Sequence, residues 1–253
     1  MEDFLKDLIY PVMIISSRAG EGNFSVGRAI FDILSSNRKG EIFHFTVEEL
    51  ISYNLYKKHF LRYKYICFNF HWLLYFIYFF PINYIWNYLK EKIFKNTNLD
   101  KLLKSILKLN AKTVICTNHR ACFWSSILKK RGLANFFLVG VITDYNFNPG
   151  WRFIFWDKVN LLFGPIEKKE LPNKLYKKYI KIELPLKKDF YMLNNKMASK
   201  NNILISGGGW GLGPIYKVAL LLSKEIPDLN LFILCGDNEN LYNKLKEKFF
   251  SNE

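Results

Sequence analysis

Ile203-Leu-Ile-Ser-Gly-Gly-Gly-Trp-Gly-Leu-Gly-Pro-Ile215 decides how the fold is read: an apolar run of strand type breaks into five glycines within seven residues, and a helical pattern resumes behind them. Strand, phosphate-sized loop and helix start follow in that order. Glycines let backbone N–H groups come close to an anion, and the helix behind adds its unpaired amides and the positive end of its dipole. A nucleotide or sugar diphosphate is the ligand that suits such a loop. One more strand is expected over Leu229 to Gly236 and one more helix over Asn238 to Phe250. That remainder is too short for a second domain of full size, so this half is expected to be partial.

Upstream, the same alternation recurs. Val12-Met-Ile-Ile-Ser-Ser17 runs into the glycine turn Arg18-Ala-Gly-Glu-Gly-Asn23, and a helical pattern with Phe24, Ala29, Ile30, Ile33 and Leu34 follows. Its glycines, Gly20 and Gly22, fall short of a full GxGxxG and read equally as a tight reversal. Thr113-Val-Ile-Cys-Thr117, Phe137-Leu-Val-Gly-Val-Ile-Thr143 and Lys158-Val-Asn-Leu-Leu-Phe-Gly164 supply three further apolar runs of strand length. Such alternation predicts an α/β chain with a parallel sheet covered on both faces. Ligands collect beyond the carboxyl ends of parallel strands. Here those ends carry Glu21, Asn23, His119, Asp144 and Tyr145, which together define a candidate cleft. From Glu167 to Lys200 the chain turns Lys-dense, is punctuated by Pro172 and Pro185, and reads as a hinge.

The composition narrows the partners. Half of the 253 residues are hydrophobic and 17% are aromatic, which excludes a disordered chain. A net charge of +15 calls for an acidic partner. Lys greatly outnumbers Arg, and diffuse Lys charge suits an anionic membrane better than bidentate recognition of nucleic acid. No zinc-finger, helix-turn-helix or RNA-recognition signature accompanies the charge, so nucleic acid is not the expected partner. Richness in Lys and Asn is also what nucleotide bias in a genome produces. Tyr65 to Leu89 contains no Asp, Glu, Lys or Arg, with Lys57, Lys58, Arg62 and Lys64 before it and Lys90 and Lys92 after. Asn69, His71, Pro81, Asn83 and Asn87 argue against a membrane span, and the abundant Tyr and Trp favour an element that inserts into a lipid surface. The bland alternative is a pair of core helices kinked at Pro81. Cys67, Cys116, Cys122 and Cys235 show neither a CxxC pair nor metal-ligand spacing, so no metal and a reducing, cytosolic location are expected. The acidic start, Met-Glu-Asp-Phe-Leu-Lys-Asp, does not read as a signal peptide.

Five segments in order resemble the monogalactosyldiacylglycerol synthases and processive diacylglycerol glucosyltransferases. They are Ile15 to Asn23, Val114 to His119, Val141 to Tyr145 with Trp151 and Asp157 behind it, Ile203 to Pro214, and Leu234 to Leu241. A similar N-terminal glycine turn occurs in the related cell-wall lipid N-acetylglucosaminyltransferases. The resemblance implies a GT-B type α/β fold: an N-terminal Rossmann-like domain over 1–184 that binds the lipid acceptor, with residues 65–89 facing the membrane, a basic linker over 185–201, and a truncated second Rossmann-like domain over 202–253. It implies transfer of a hexose from a UDP-sugar to diacylglycerol at the cytosolic membrane face, with the UDP-sugar as co-substrate and no cofactor. Gly20, Gly22, Tyr145 and Trp151 would bind the acceptor, and Gly207, Gly208, Gly209, Gly211 and Gly213 the donor diphosphate. The family places a general-base His where this chain has Asn23, and an amide does not take up a proton at neutral pH. Glu21, His119 and Asp144 are the candidate substitutes. The implied partners are an anionic membrane surface, a diacylglycerol-type acceptor and a second chain supplying the rest of the donor half. Two other classes stand beside this reading: a non-catalytic lipid- or partner-binding module derived from such an enzyme, and a dinucleotide-dependent oxidoreductase using Glu48, Glu49 or Asp237 downstream of a glycine turn.

Overall fold

A computed structural model of the chain describes residues 8–18, 21–36, 40–70, 72–73, 98–191, 201–226 and 228–250. The chain divides into two compact units, Met1–Tyr191 and Met192–Glu253.

In the first unit β1 (Val12–Ser16) leads into α1 (Glu21–Ser36) and β2 (Ile42–Thr46). A nearly continuous helical run follows, made of α2 (Tyr53–Tyr56), one π turn at Lys57–Leu61 and α3 (Arg62–Asn69). Then come α4 (Asp100–Lys108), β3 (Thr113–Cys116), α5 (His119–Lys130), β4 (Phe137–Val141), β5 (Leu161–Gly164) and β6 (Tyr179–Lys181). The six strands form one all-parallel, Rossmann-like sheet in the order β2-β1-β3-β4-β5-β6.

Burial on both faces explains the unbroken apolar runs. Every residue of β1 and β3 is buried, so neither strand has a polar side to alternate with. Val12 and Ile14 join Val26, Ile30 and Leu34 of α1 and Ile115, Val139 and Val141 of the neighbouring strands on one face. Met13 and Ile15 join Val114 and Cys116, Leu102 and Ile106 of α4, and Trp124, Ile127 and Leu128 of α5 on the other. The sequence reading placed no strand over Ile42–Thr46 or Tyr179–Lys181. Both are edge strands. With one side unpaired they are only partly buried, and that weakens the apolar signal.

The second unit carries β7 (Asn202–Ser206), α6 (Ile215–Glu225), β8 (Asn230–Leu234) and α7 (Glu239–Phe250). β7 and β8 form a separate two-stranded parallel sheet. Ile205, Ile215, Ala219, Leu241 and Leu245 make its small core. On the other face Leu204 and Phe232, paired across the strands, are 64% and 55% exposed.

Of the expected basic linker, residues 185–191 lie within the first unit and end in a 3-10 turn, Lys188–Tyr191, while 192–200 lie outside the described residues. Most of the aromatic segment expected at 65–89 likewise lies outside them. Its described start exposes Tyr65, Phe68, Phe70 and Trp72. Among the described residues, no helix is long and apolar enough to cross a membrane.

Candidate functional site

The strand order reverses direction between β1 and β3, since β2 lies on one side of β1 and all later strands lie on the other. In open parallel sheets the loops leaving the carboxyl ends of such a strand pair diverge and leave a crevice. Three expected strand ends meet there through one residue. Thr117 Oγ1, just past β3, donates to the Asn23 backbone carbonyl at 2.8 Å, and Thr143 Oγ1, just past β4, donates to Asn23 Oδ1. Asn23 thus ties the first turn of α1 to the ends of two other strands. Its side-chain oxygen serves as a hydrogen-bond acceptor within the fold.

His119 opens α5 behind Asn118, whose Oδ1 accepts from Arg120 N at 2.9 Å as an N-cap. The ring lies against Gly150, where a Cβ would sit 2.4 Å from His119 Cδ2, so only glycine lets that loop pass. Burial holds the imidazole neutral, with its pKa brought down to about 3 and the neighbouring Arg120 adding to the effect. A base that weak accepts a proton poorly near neutrality. Asp144 is half-buried, and desolvation raises its pKa against the opposing hydrogen bond from the Asn148 side chain. Asn148 Oδ1 also accepts from Gly150 N at 2.8 Å. One loop therefore carries Asp144 and closes over His119, which makes Asp144 the stronger candidate base of the two.

The other expected site residues separate. Tyr145 is 81% exposed at the same loop. Trp151, expected at an acceptor surface, is instead 1% exposed in the core, stacked on Trp156 and edge-on to His119. It supports the imidazole and offers no face to a ligand. Glu21 is exposed at the start of α1, where its charge complements the helix dipole. A Cβ at Gly22 would meet nothing within 4 Å, so its surroundings do not demand glycine. Gly20 lies outside the described residues.

Three residues at this end of the sheet escaped the sequence reading of the cleft. Thr117 and Thr143 lie in quoted segments, but their roles depend on strand alignment. Glu48 Oε1 accepts from Ser17 Oγ at 2.7 Å and from Arg18 N at 3.1 Å, pinning the turn after β1, while its Oε2 is buried without a hydrogen-bond partner. Glu49 Oε2 accepts from Thr46 N at 2.6 Å. Both acids thus follow the second strand but bond to the protein's own backbone and side chains. Among the described residues no group of three or more His, Cys, Asp or Glu is placed to hold a metal ion.

In the second unit the glycine loop is partly a packing device. A Cβ on Gly207 would lie 2.2 Å from Leu212 O, and one on Gly211 would lie 1.9 Å from Cys235 O. The loop after β8 returns the constraint, with Asp237 N donating to Gly209 O at 2.8 Å and Asn238 Nδ2 to Gly211 O at 3.0 Å. Gly208 and Gly213, at positive φ of 69° and 101°, differ in that a Cβ on either would meet open space. Behind them α6 starts at Ile215, and Pro214 at its N-cap position supplies no side-chain cap. Beside the loop a cleft of about 810 Å³ is lined by Ser206, Gly208, Gly209, Leu234, Glu239 and Tyr242 among others. No protein-family model matches this chain, and no curated protein sequence does.

Proposed function

We propose that the chain is a GT-B type glycosyltransferase that moves a hexose from a UDP-sugar to a diacylglycerol-type lipid at an anionic membrane surface. The observation that carries the reading is the glycine loop between β7 and α6. Gly208 and Gly213 leave room for close approach, the Gly208 N–H being held at 3.3 Å by Ser206 Oγ, and the helix start without a side-chain cap turns a positive dipole end toward a diphosphate, beside a cleft of nucleotide size. Exposed Tyr65, Phe68, Phe70 and Trp72, next to Lys57, Lys58, Arg62 and Lys64, support contact with anionic lipid. In this reaction the acceptor hydroxyl oxygen attacks the anomeric carbon, its proton passes to the Asp144 carboxylate, and the bond to the departing UDP oxygen breaks. Asp144 suits the role because burial moves its pKa toward the working range.

A second reading, a non-catalytic lipid-binding module, is favoured by one observation. Asn23, at the position expected of the base, has its carbonyl and amide oxygens bound by Thr117 and Thr143.

The test is transfer of labelled hexose from UDP-glucose or UDP-galactose to liposomes containing diacylglycerol and an anionic lipid. Labelled glycolipid is expected, with Asp144→Asn lowering the rate about a hundredfold or more. Sedimentation with the liposomes, with neither transfer nor UDP binding, would select the non-catalytic module.

A further inference from the structure

A second cleft, of about 370 Å³, lies at the outer edge of the large sheet, between α1 and the edge strand β2. Its wall is a row of three rings with a guanidinium at each end. The Arg18 guanidinium lies over Phe24 at 4.9 Å, Phe24 stacks on His44 at 5.2 Å, His44 stacks on Phe31 at 6.1 Å, and the Arg28 guanidinium lies over Phe31 at 5.1 Å.

The arrangement is rigid for stated reasons. His44 Nε2 is 2.7 Å from Ser16 Oγ, which fixes the ring at the centre of the stack. Gly27 lets α1 come down onto it, since a Cβ there would sit 2.9 Å from Ser16 Cβ and 3.0 Å from His44 Nε2. Arg18 leaves a backbone pinned by Glu48. Arg28 is held through Nε by Asp32 at 3.1 Å. Each guanidinium lies over a phenyl ring, and a contact of this kind restricts the side chain before any ligand arrives.

We propose that this cleft binds an aryl phosphate or aryl carboxylate, a compact oxyanion carried on a flat apolar body. Guanidinium forks match planar or tetrahedral oxyanions, and Arg18 has no carboxylate partner among the described residues. The volume exceeds what a bare phosphate needs, and the ring-lined wall suits a flat body. Glu49 at the lining bonds Thr46 N and disfavours ligands with a second anionic group on that side. His44 is kept neutral mainly by burial, with Arg28 and Arg18 lowering its pKa and Glu49 and Asp32 opposing them, so it contributes a ring and not a charge near neutrality. The site is independent of sugar transfer and of the glycine loop.

The experiment is calorimetric titration of the full chain with phenyl phosphate, inorganic phosphate and benzyl alcohol, with the His44 ring resonances followed in parallel. Phenyl phosphate is expected to bind and shift those resonances, inorganic phosphate to bind at least about tenfold more weakly, and benzyl alcohol not to bind measurably. Arg18→Gln and Arg28→Gln are each expected to weaken phenyl phosphate about tenfold to a hundredfold. Arg18→Lys keeps the charge, loses the fork, and should also weaken it. Thermal melts of the variants check that they fold, and substitution at exposed Arg18 and half-exposed Arg28 opens no cavity in the core. Absence of phenyl phosphate binding, or binding unchanged in both glutamine variants, overturns the proposal. Inorganic phosphate binding as tightly as phenyl phosphate overturns the aromatic part of the ligand assignment.

Discussion

The two parallel sheets of this chain are built by the same rule and finished differently. In the six-stranded sheet, β1 and β3 are sealed on both faces, by α1 on one and by α4 and α5 on the other. In the two-stranded sheet, α6 and α7 pack on one face while Leu204, Phe232 and Leu234 stay exposed on the other. Parallel strands ordinarily have both faces covered. The large sheet therefore rests on burial, whereas the small one depends more heavily on its loops.

The comparison can be broken most severely in the large core. Trp124→Ala, at a side chain 1% exposed and edge-on to Phe60, is expected to cost roughly 3–5 kcal/mol in urea denaturation followed in the first unit. Next in size is Gly211→Ala. It adds positive-φ strain at 57° to an overlap with Cys235 O, and about 3 kcal/mol of lost stability is expected from the two together. Gly208→Ala, at φ 69° but in open space, should cost only about 1–2 kcal/mol. Equal losses at the two glycines would contradict the division of that loop into packing and open positions.

Acid should strike the large unit through His119. Its pKa is lowered in the fold to about 3, so the unfolded chain takes up a proton first as pH falls. Stability is then fully present above the ordinary histidine pKa and declines below it, by up to about 1.4 kcal/mol per pH unit, until the folded pKa is reached. Asp144, with its pKa raised, contributes in the opposite direction through the carboxylate range. His119→Asn should flatten the decline between neutral pH and pH 5 in denaturation curves. An unchanged slope would remove His119 as its cause, leaving His44, whose pKa is also lowered. The smallest effect belongs to the bare face of β7 and β8. Leu204→Ser with Phe232→Ser should change stability by less than about 1 kcal/mol, the worth of one cross-strand pair, and a larger loss would mean that this face is covered in solution.

Sequence pattern made the buried strands legible because burial on both faces leaves no alternative to a continuous apolar run. β1, β3, β4 and β5 fall within the runs read as strands, and β7 and β8 were read as strands too, from apolar content that their sheet leaves exposed on one face. The edge strands β2 and β6 did not stand out, since Ile42-Phe-His-Phe-Thr46 carries a polar ring and Tyr179-Ile-Lys181 is short. At the crevice, the types of Asn23, His119 and Asp144 and their positions after strands were legible. Which of them was tied up was not. The threonine bonds to Asn23 require β1, β3 and β4 to lie side by side, and the weak basicity of His119 comes from burial to which the distant loop at Gly150 contributes.

By itself, then, the sequence determined the alternation of strands and helices, the parallel α/β class and the position of the glycine loop between β7 and α6, whereas Gly22, read as part of a turn, lies in the first turn of α1. Those follow from local propensity and from the apolar period, which act over a few neighbouring residues. Tertiary structure alone decided that Trp151 belongs to the core, that Gly211 makes room for the carbonyl of Cys235, and that Arg18, Phe24, His44, Phe31 and Arg28 form one stack. Each of these is a contact between segments far apart in the chain, fixed by strand order and register, which no local pattern encodes.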